Sequence, residues 1–206
     1  MGRTSDAREK ILKAAQSLIE LRGYSALGVA EICTAAGVPK GSFYYFFESK
    51  EALALAVLDE HWRVQQADWE RILGGGAEPL ARLRELFEET EAGLRAGQQS
   101  CGSVLGCMFG NLTLELSNQT ASIRQRLQEI FEAQVQMVAK VVADAQSRGD
   151  AAVADTSAAA QALVAQLEGQ VLFAKLYNDT QRLETLWANA LGLLGARPVR
   201  LEPVGP

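Results

Sequence analysis

At 206 residues the chain is long enough to bury a substantial core, in one large domain or two small ones. Its net charge of −5, three cysteines (Cys33, Cys101, Cys107) and single histidine (His61) leave no Cys-x-x-Cys pair, no even disulfide framework and no Cys/His zinc site. No uncharged apolar run approaches the ~18–20 residues of a membrane span. The residues Met1-Gly2-Arg3-Thr4-Ser5-Asp6 have no apolar stretch behind them of the kind a signal peptide needs. A reducing cytoplasm is therefore the expected location, with no metal, no cofactor and no membrane partner.

The charge is unevenly placed. Residues 1–50 hold seven Lys/Arg and five Asp/Glu, a balance of +2, and the remainder carries −7. The basic part is where a nucleic acid would be met, although ordinary scatter gives so small an excess equally well.

Apolar periodicity reads as helix almost throughout, with no convincing strand, so the expected fold class is all-α with about nine helices. The first helix, over about 5–22, carries Ile11, Leu12, Ala15, Leu18 and Ile19 on one stripe. A second, over about 28–35, turns Val29 and Ile32 inward, with Gly28 near its start as an acceptable cap. Gly37 ends that helix, because glycine tolerates the left-handed conformation a helix terminus needs. Pro39 suits the first turn of the next helix, over about 39–45, where its missing N–H is not required. Ser49 caps a fourth helix, over about 49–73, with Lys50 and Glu51 in its first turn. Gly74-Gly75-Gly76 then reads as a helix–helix turn rather than a domain linker.

Further helices are expected over about 78–96, 103–118, 120–148, 155–177 and 181–195. The last pair carries strong apolar stripes: Leu163, Leu167, Val171 and Ala174, then Leu183, Leu186, Trp187, Ala190, Leu191 and Leu194. Such stripes serve either an internal core or a four-helix bundle with a second copy. The tail from Arg197-Pro198 to Pro206 reads as frayed coil.

Two short helices joined by a tight turn describe a helix-turn-helix, its second helix lying in the DNA major groove. On that helix Lys40 can reach a phosphate or a guanine edge, and Ser42 is small enough to approach bases closely. Tyr44 offers a hydroxyl to phosphate or a ring to a thymine methyl. Lys50, at a helix N-terminus, is placed for phosphate. Arg3 and Thr4 form either a basic arm or a segment with no DNA role.

The run from Ile11 to Leu58 resembles the N-terminal domain of TetR-type transcriptional regulators. The matching pieces are Ala14-Ala15, Arg22-Gly23-Tyr24, Val29-Ala30-Glu31-Ile32, Ala36-Gly37-Val38, Lys40-Gly41-Ser42-Phe43-Tyr44-Tyr45 and Ser49-Lys50-Glu51-Ala52-Leu53. The resemblance implies an N-terminal three-helix DNA-binding domain over residues 1–50 and an effector-binding and dimerisation domain over residues 51–206. It implies a ligand-responsive repressor, acting as a homodimer on a palindromic double-stranded operator. Lys40, Gly41, Ser42, Tyr44, Tyr45 and Lys50 become the expected DNA contacts, with Arg3 and Thr4 as an arm. Phe43 and Phe47 become core positions. Phe46 departs from the pattern, since many relatives carry histidine there, and so does Gly28, where many carry Ser or Thr. The resemblance also implies dimerisation through the last two helices, by Leu163, Leu167, Leu183, Leu186, Trp187, Ala190, Leu191 and Leu194.

A second informative stretch is Gly102-Ser-Val-Leu-Gly-Cys107-Met-Phe-Gly-Asn111-Leu-Thr-Leu-Glu115. It resembles a subgroup of the same family that includes electrophile- and acrylate-type sensors, in some of which the corresponding cysteine is the reactive thiol. Cys107 lies near a helix start, where a thiolate is favoured. Lys175, in the apolar run Val171-Leu-Phe-Ala-Lys-Leu-Tyr177, is expected to face the core and to pair with Cys107, Glu115 or Glu168. Phe109 and Phe173 are the candidate pocket aromatics around them. Three readings stay open here: thiol sensing through Cys107, reversible binding of a small molecule, and a cysteine that is simply a small core hydrophobe. The single histidine and the absence of a phosphate loop or metal cluster argue against one alternative, an enzyme. The remaining alternative is an all-helical interaction protein that does not bind DNA.

Overall fold

The computed structural model describes residues 2–196, with side chains from residue 6 onward. Nine α-helices and one 3-10 turn organise the described residues, with no strand among them, as the all-α expectation required. The helices are α1 (Gly2–Arg22), α2 (Val29–Ala36), α3 (Lys40–Phe46), α4 (Lys50–Leu73), α5 (Pro79–Cys101), α6 (Met108–Leu116), α7 (Ala121–Ser147), α8 (Thr156–Tyr177) and α9 (Leu186–Leu193). The chain groups into two compact units. The first comprises Met1–Asp68 and Leu105–Glu132, the second Trp69–Val104 and Ala133–Pro206. The tail expected to fray, 197–206, lies outside the described residues.

In the first unit the stripe of α1 narrows to Ile11, Ala15 and Ile19, all buried, while Leu12 and Leu18 are only half-buried. Leu27, Ile32 and Cys33, Phe43 and Phe47, and Leu53, Ala54, Val57 and Leu58 of α4 are buried in the same unit. Gly37 takes the left-handed conformation (φ 65°), and the N–H groups of Gly37 and Val38 donate to Thr34 and Cys33 carbonyls, closing α2. Pro39 sits just outside α3 rather than in its first turn, its carbonyl accepting from the Ser42 N–H at 2.9 Å. Ser49 caps α4 as expected, its Oγ accepting from the Ala52 N–H at 3.0 Å.

Two boundaries differ from the sequence reading. Helix α5 does not stop at residue 96. A mid-helix glycine such as Gly97 costs about 1 kcal/mol relative to alanine but leaves the helix possible. The stop comes at Gly102, which adopts φ 77°. Helix α6 then starts late, at Met108, because residues 103–107 are not helical and Cys107 occupies the extended N-cap position. The Gly110 N–H donates to Cys107 Sγ at 3.5 Å, and Asn111 Nδ2 donates to the Leu105 carbonyl at 2.9 Å. Phe109, fully buried, meets Trp62 and Phe131 edge-on at centroid distances of 6.1 and 6.5 Å.

The second unit buries Leu83, Leu86 and Phe87 of α5, Val138, Val141, Val142 and Ala145 of α7, and the inward stripe of α8. Asp155 starts α8 by accepting from the Ser157 and Ala158 N–H groups at 2.8 and 3.0 Å. Arg82, its side chain only 12% exposed, donates to the Leu73 carbonyl at 2.6 Å and pairs with Asp144 at 2.9 Å, placing a cation at the C-terminus of α4. Asn178 ends α8 at φ 51° and pins the segment after α5: Val104 N–H donates to its Oδ1 at 2.8 Å, and its Nδ2 donates to the Gly102 carbonyl at 3.1 Å. The last expected helix is broken in two. Asp179 caps a 3-10 turn (Thr180–Leu183), and α9 follows after Glu184 and Thr185. Among the described residues no helix is long and apolar enough to cross a membrane, and no group of three His, Cys, Asp or Glu could hold a metal ion.

His61 of α4 sits between α1 and α6. Gln16 Nε2 lies 3.2 Å from its Nδ1, and its ring meets Phe109 edge-on at 5.1 Å. Burial pushes its pKa below the ordinary histidine value, with Glu20 opposing. A depressed base favours the neutral folded form, so the unfolded chain takes up the proton first as pH falls below ~6.5. The unfolding temperature should therefore drop between about pH 7.5 and 5.5, and His61→Gln should flatten that dependence. Differential scanning calorimetry across this range checks it; an equally steep dependence in the variant would contradict it.

Candidate nucleic-acid interface

Helix α3 is only seven residues long, and its two faces differ sharply. Phe43 is fully buried and Phe47 nearly so, with ring centroids 5.7 Å apart, and the Arg8 guanidinium lies 5.4 Å over the Phe47 ring. On the other face Lys40, Gly41, Tyr44 and Tyr45 are exposed and Ser42 is half-buried. Tyr44 and Tyr45 stand 59% and 74% exposed, which is unusual for two adjacent aromatic side chains. Phe46 is half-buried and packs edge-on against Tyr45 at 4.9 Å, so it supports the exposed tyrosine. Cys33 lies under this head, where burial raises its thiol pKa against the opposing charge of Lys40. The Arg22–Glu31 ion pair links α1 to α2. Arg3 and Thr4 fall in the first turn of α1, and their side chains lie outside the described ones.

Lys50 is not a free surface cation. It is half-buried, with its Nζ 4.0 Å from the centroid of the Tyr24 ring. Burial lowers its pKa, and Glu115 works against that shift.

Glu115, read from the sequence as part of an effector site, is committed elsewhere. Its carboxylate accepts from the Tyr24 N–H at 3.0 Å and from the Ser25 N–H at 2.6 Å. These bonds and Lys50 outweigh the upward push of burial, its largest single influence, and hold its pKa below the usual carboxylate value. No local pattern signals this contact, since the partners lie 90 and 91 residues apart.

The other candidate effector residues fall in both units. Cys107, half-buried, caps α6, and Phe109 is core in the first unit. Lys175 and Phe173 belong to α8 in the second. Lys175 is half-buried there. The run 171–177 does not face inward as a block. Val171 and Ala174 are buried, but Leu172, Phe173, Leu176 and Tyr177 are 48%, 53%, 68% and 55% exposed. Phe173 thus stacks outward on Tyr177, with centroids 6.5 Å apart, and Arg182 covers the Tyr177 ring at 3.6 Å.

The residues expected to form a dimer contact are also placed differently. Leu163, Leu167, Leu183, Leu186, Ala190 and Leu194 are all buried within their own unit. Trp187 and Leu191 are half-buried and, with Phe87 and Leu186, line a cavity of about 570 Å³. The strongest apolar stripe of a helix is its inward one, and that is the stripe periodicity finds first.

The N-terminal model of the tetR family of bacterial regulatory proteins matches residues 11–57, and a model described as the tetracyclin repressor-like C-terminal domain matches residues 79–190. The HTH-type transcriptional repressor DhaR of Mycobacterium sp. (strain GP1) is 34% identical over 193 residues, covering 89% of each chain. The transcriptional regulator AcuR of Cereibacter sphaeroides is 34% identical over 173 residues, covering 82% of this chain and 77% of its own. Among solved structures, the regulatory protein TetR from Rhodobacter sphaeroides superposes with a TM-score of 0.81 at 30% identity, covering 89% of this chain and 96% of that one. The reduced form of Escherichia coli NemR superposes with a TM-score of 0.82 at 25% identity, covering 94% and 100%. The relatives are transcriptional regulators rather than enzymes, and the chain belongs to the TetR family of DNA-binding transcriptional regulators.

Proposed function

We propose that this regulator is a cytoplasmic repressor that binds a palindromic operator as a homodimer and lets go when a small molecule or a thiol-modifying electrophile acts on it. DNA binding resides in residues 1–50, and effector binding and dimerisation in residues 51–206. The observation that carries the reading is the two-faced α3, with Lys40, Gly41, Tyr44 and Tyr45 displayed on a base of buried Phe43 and Phe47. A cation, exposed phenols and a small residue, Ser42, suit phosphate contact and base-edge readout together. Selecting duplexes from a random-sequence library with the purified protein tests it. An inverted repeat with half-sites about one helical turn, ~34–36 Å, apart is expected. A single unrepeated half-site would contradict the dimer. Lys40→Ala should weaken binding to every sequence alike and lower the salt slope by about one, read from fluorescence anisotropy at several salt concentrations.

For self-association the exposed side of α8 replaces the buried residues named above. Leu172, Phe173, Leu176 and Tyr177 form one contiguous apolar face, and Leu193 of α9 is 43% exposed. Towards the N-terminus the same helix exposes Ala158 and Ala165, with Gly169 half-buried and open space where its Cβ would be. Small residues followed by large ones suit close helix approach at one end and apolar filling at the other. Leu176→Glu should convert the protein to a monomer in sedimentation equilibrium and weaken operator binding. A dimer of unchanged stability would remove this face from consideration.

For release, two effector types share the proposal: a reversible small-molecule ligand, and an electrophile acting on Cys107. In the second, the Cys107 thiolate adds to the β-carbon of an α,β-unsaturated carbonyl compound. A C–S bond forms, the π electrons shift to the carbonyl, and the proton ends on the α-carbon, so no other reactant is needed. The N-cap place of Cys107 on α6 supports this, since helix N-termini favour a thiolate. Exposed Cys101 is the internal control. Acrylate-type electrophile should release operator from the parent and from Cys101→Ser, and fail to release it from Cys107→Ser, with adducts located by mass spectrometry. Release from Cys107→Ser at the parent's rate would exclude the thiol route and leave reversible binding.

A further inference from the structure

We propose that Glu115 is a positioning residue for DNA binding: without touching DNA, its carboxylate holds the turn between α1 and α2 and balances Lys50, and so sets the attitude of the operator-facing helices. The proposal rests on the DNA-binding function and adds a residue to it that lies outside the head itself.

Glu115 is the only charged side chain between Gly102 and Ile123. In such a neutral stretch a half-buried carboxylate is costly unless it is bonded. Both of its oxygens are bonded, one to the Tyr24 N–H and one to the Ser25 N–H. Hydrogen bonds from amides to an ionised acceptor are among the stronger kinds. Gly23 makes the approach possible. It holds φ 78°, and a Cβ there would stand 3.1 Å from Glu115 Oε2. The turn thus presents a bare α-carbon and two N–H donors to one carboxylate.

The second link runs through Tyr24. Its ring carries the Lys50 ammonium at 4.0 Å, and Glu115 is the anion acting on that ammonium. Lys50 opens α4 directly after the Ser49 cap, three residues beyond Phe47, which braces α3. Glu115, the Gly23–Ser25 turn, Lys50 and α3 therefore form one connected series within the first unit. Cys107 caps the same nine-residue helix that carries Glu115. A change at one end of α6 has a bonded route to the head at the other.

A tether that only stabilises the fold and one that positions the head predict different losses. Glu115→Gln keeps the size and one acceptor oxygen but removes the charge; Glu115→Ala removes both. Binding is read on the selected operator duplex and on a random duplex, with a thermal melt of each protein. Positioning predicts about a tenfold loss on the operator for Glu115→Ala, a smaller one for Glu115→Gln, and less than about a twofold change on the random duplex. Equal losses on both duplexes, or an operator affinity for folded Glu115→Gln within about twofold of the parent, would overturn it. If Glu115→Ala does not fold, Glu115→Gln decides alone. Should the parent select no operator, the regulator function fails on its own terms. Amide exchange at Tyr24 and Ser25 still decides the contact: faster exchange in Glu115→Gln is expected, and unchanged exchange rejects it.

Discussion

A helix of seven residues has almost no stability of its own, because forming its first turn fixes several residues for a single hydrogen bond. Helix α3 exists in a defined place only because Phe43 is fully buried beneath it and Phe47 closes its end. The exposed side chains of α3 depend on this one piece of packing. Around it the sequence is arranged to waste nothing: Gly37 turns the chain, Pro39 gives α3 an extended entry, and Ser49 restarts the helix that follows. Each acts within a few residues of Phe43, so the head is a largely local construction.

That locality explains what could be read from the chain and what could not. The helix-turn-helix was legible because its signals are local: a left-handed glycine, a proline at a helix entry, a serine cap. The all-α class was legible because a 3.6-residue apolar period repeats along the chain. Boundaries were harder where residue type permits two outcomes. Gly97 and Gly102 look alike on paper, and only the second adopts the conformation that ends a helix. The apolar stripe over about 181–195 suits one helix, yet the Asp179 side chain starts a 3-10 turn that splits the segment.

Two assignments needed three dimensions. Lys175 stands in an apolar run and Glu115 is one of its candidate partners, so the sequence places both in an effector site. The structure gives Glu115 to a backbone turn some 90 residues earlier in the chain, a pairing no periodicity encodes. Helix α8 is apolar on two sides, and pattern matching reports the stripe that fills the core before the one left facing water. Leu163 and Leu167 against Leu172 and Leu176 differ only in rotation about the helix axis, and the first pair is buried while the second is exposed.

The outward stripe of α8 also has a bearing on the regulator's own supply. A face carrying Leu172, Phe173, Leu176 and Tyr177 side by side is one that water penalises, and whatever covers it adds to the stability of the folded chain by mass action. With a second copy as the cover, folding and self-association become one equilibrium. A cell that makes few copies then has not only fewer occupied promoters but a larger unfolded fraction exposed to proteolysis. Gene dosage would enter the repression curve more steeply than simple site occupancy allows.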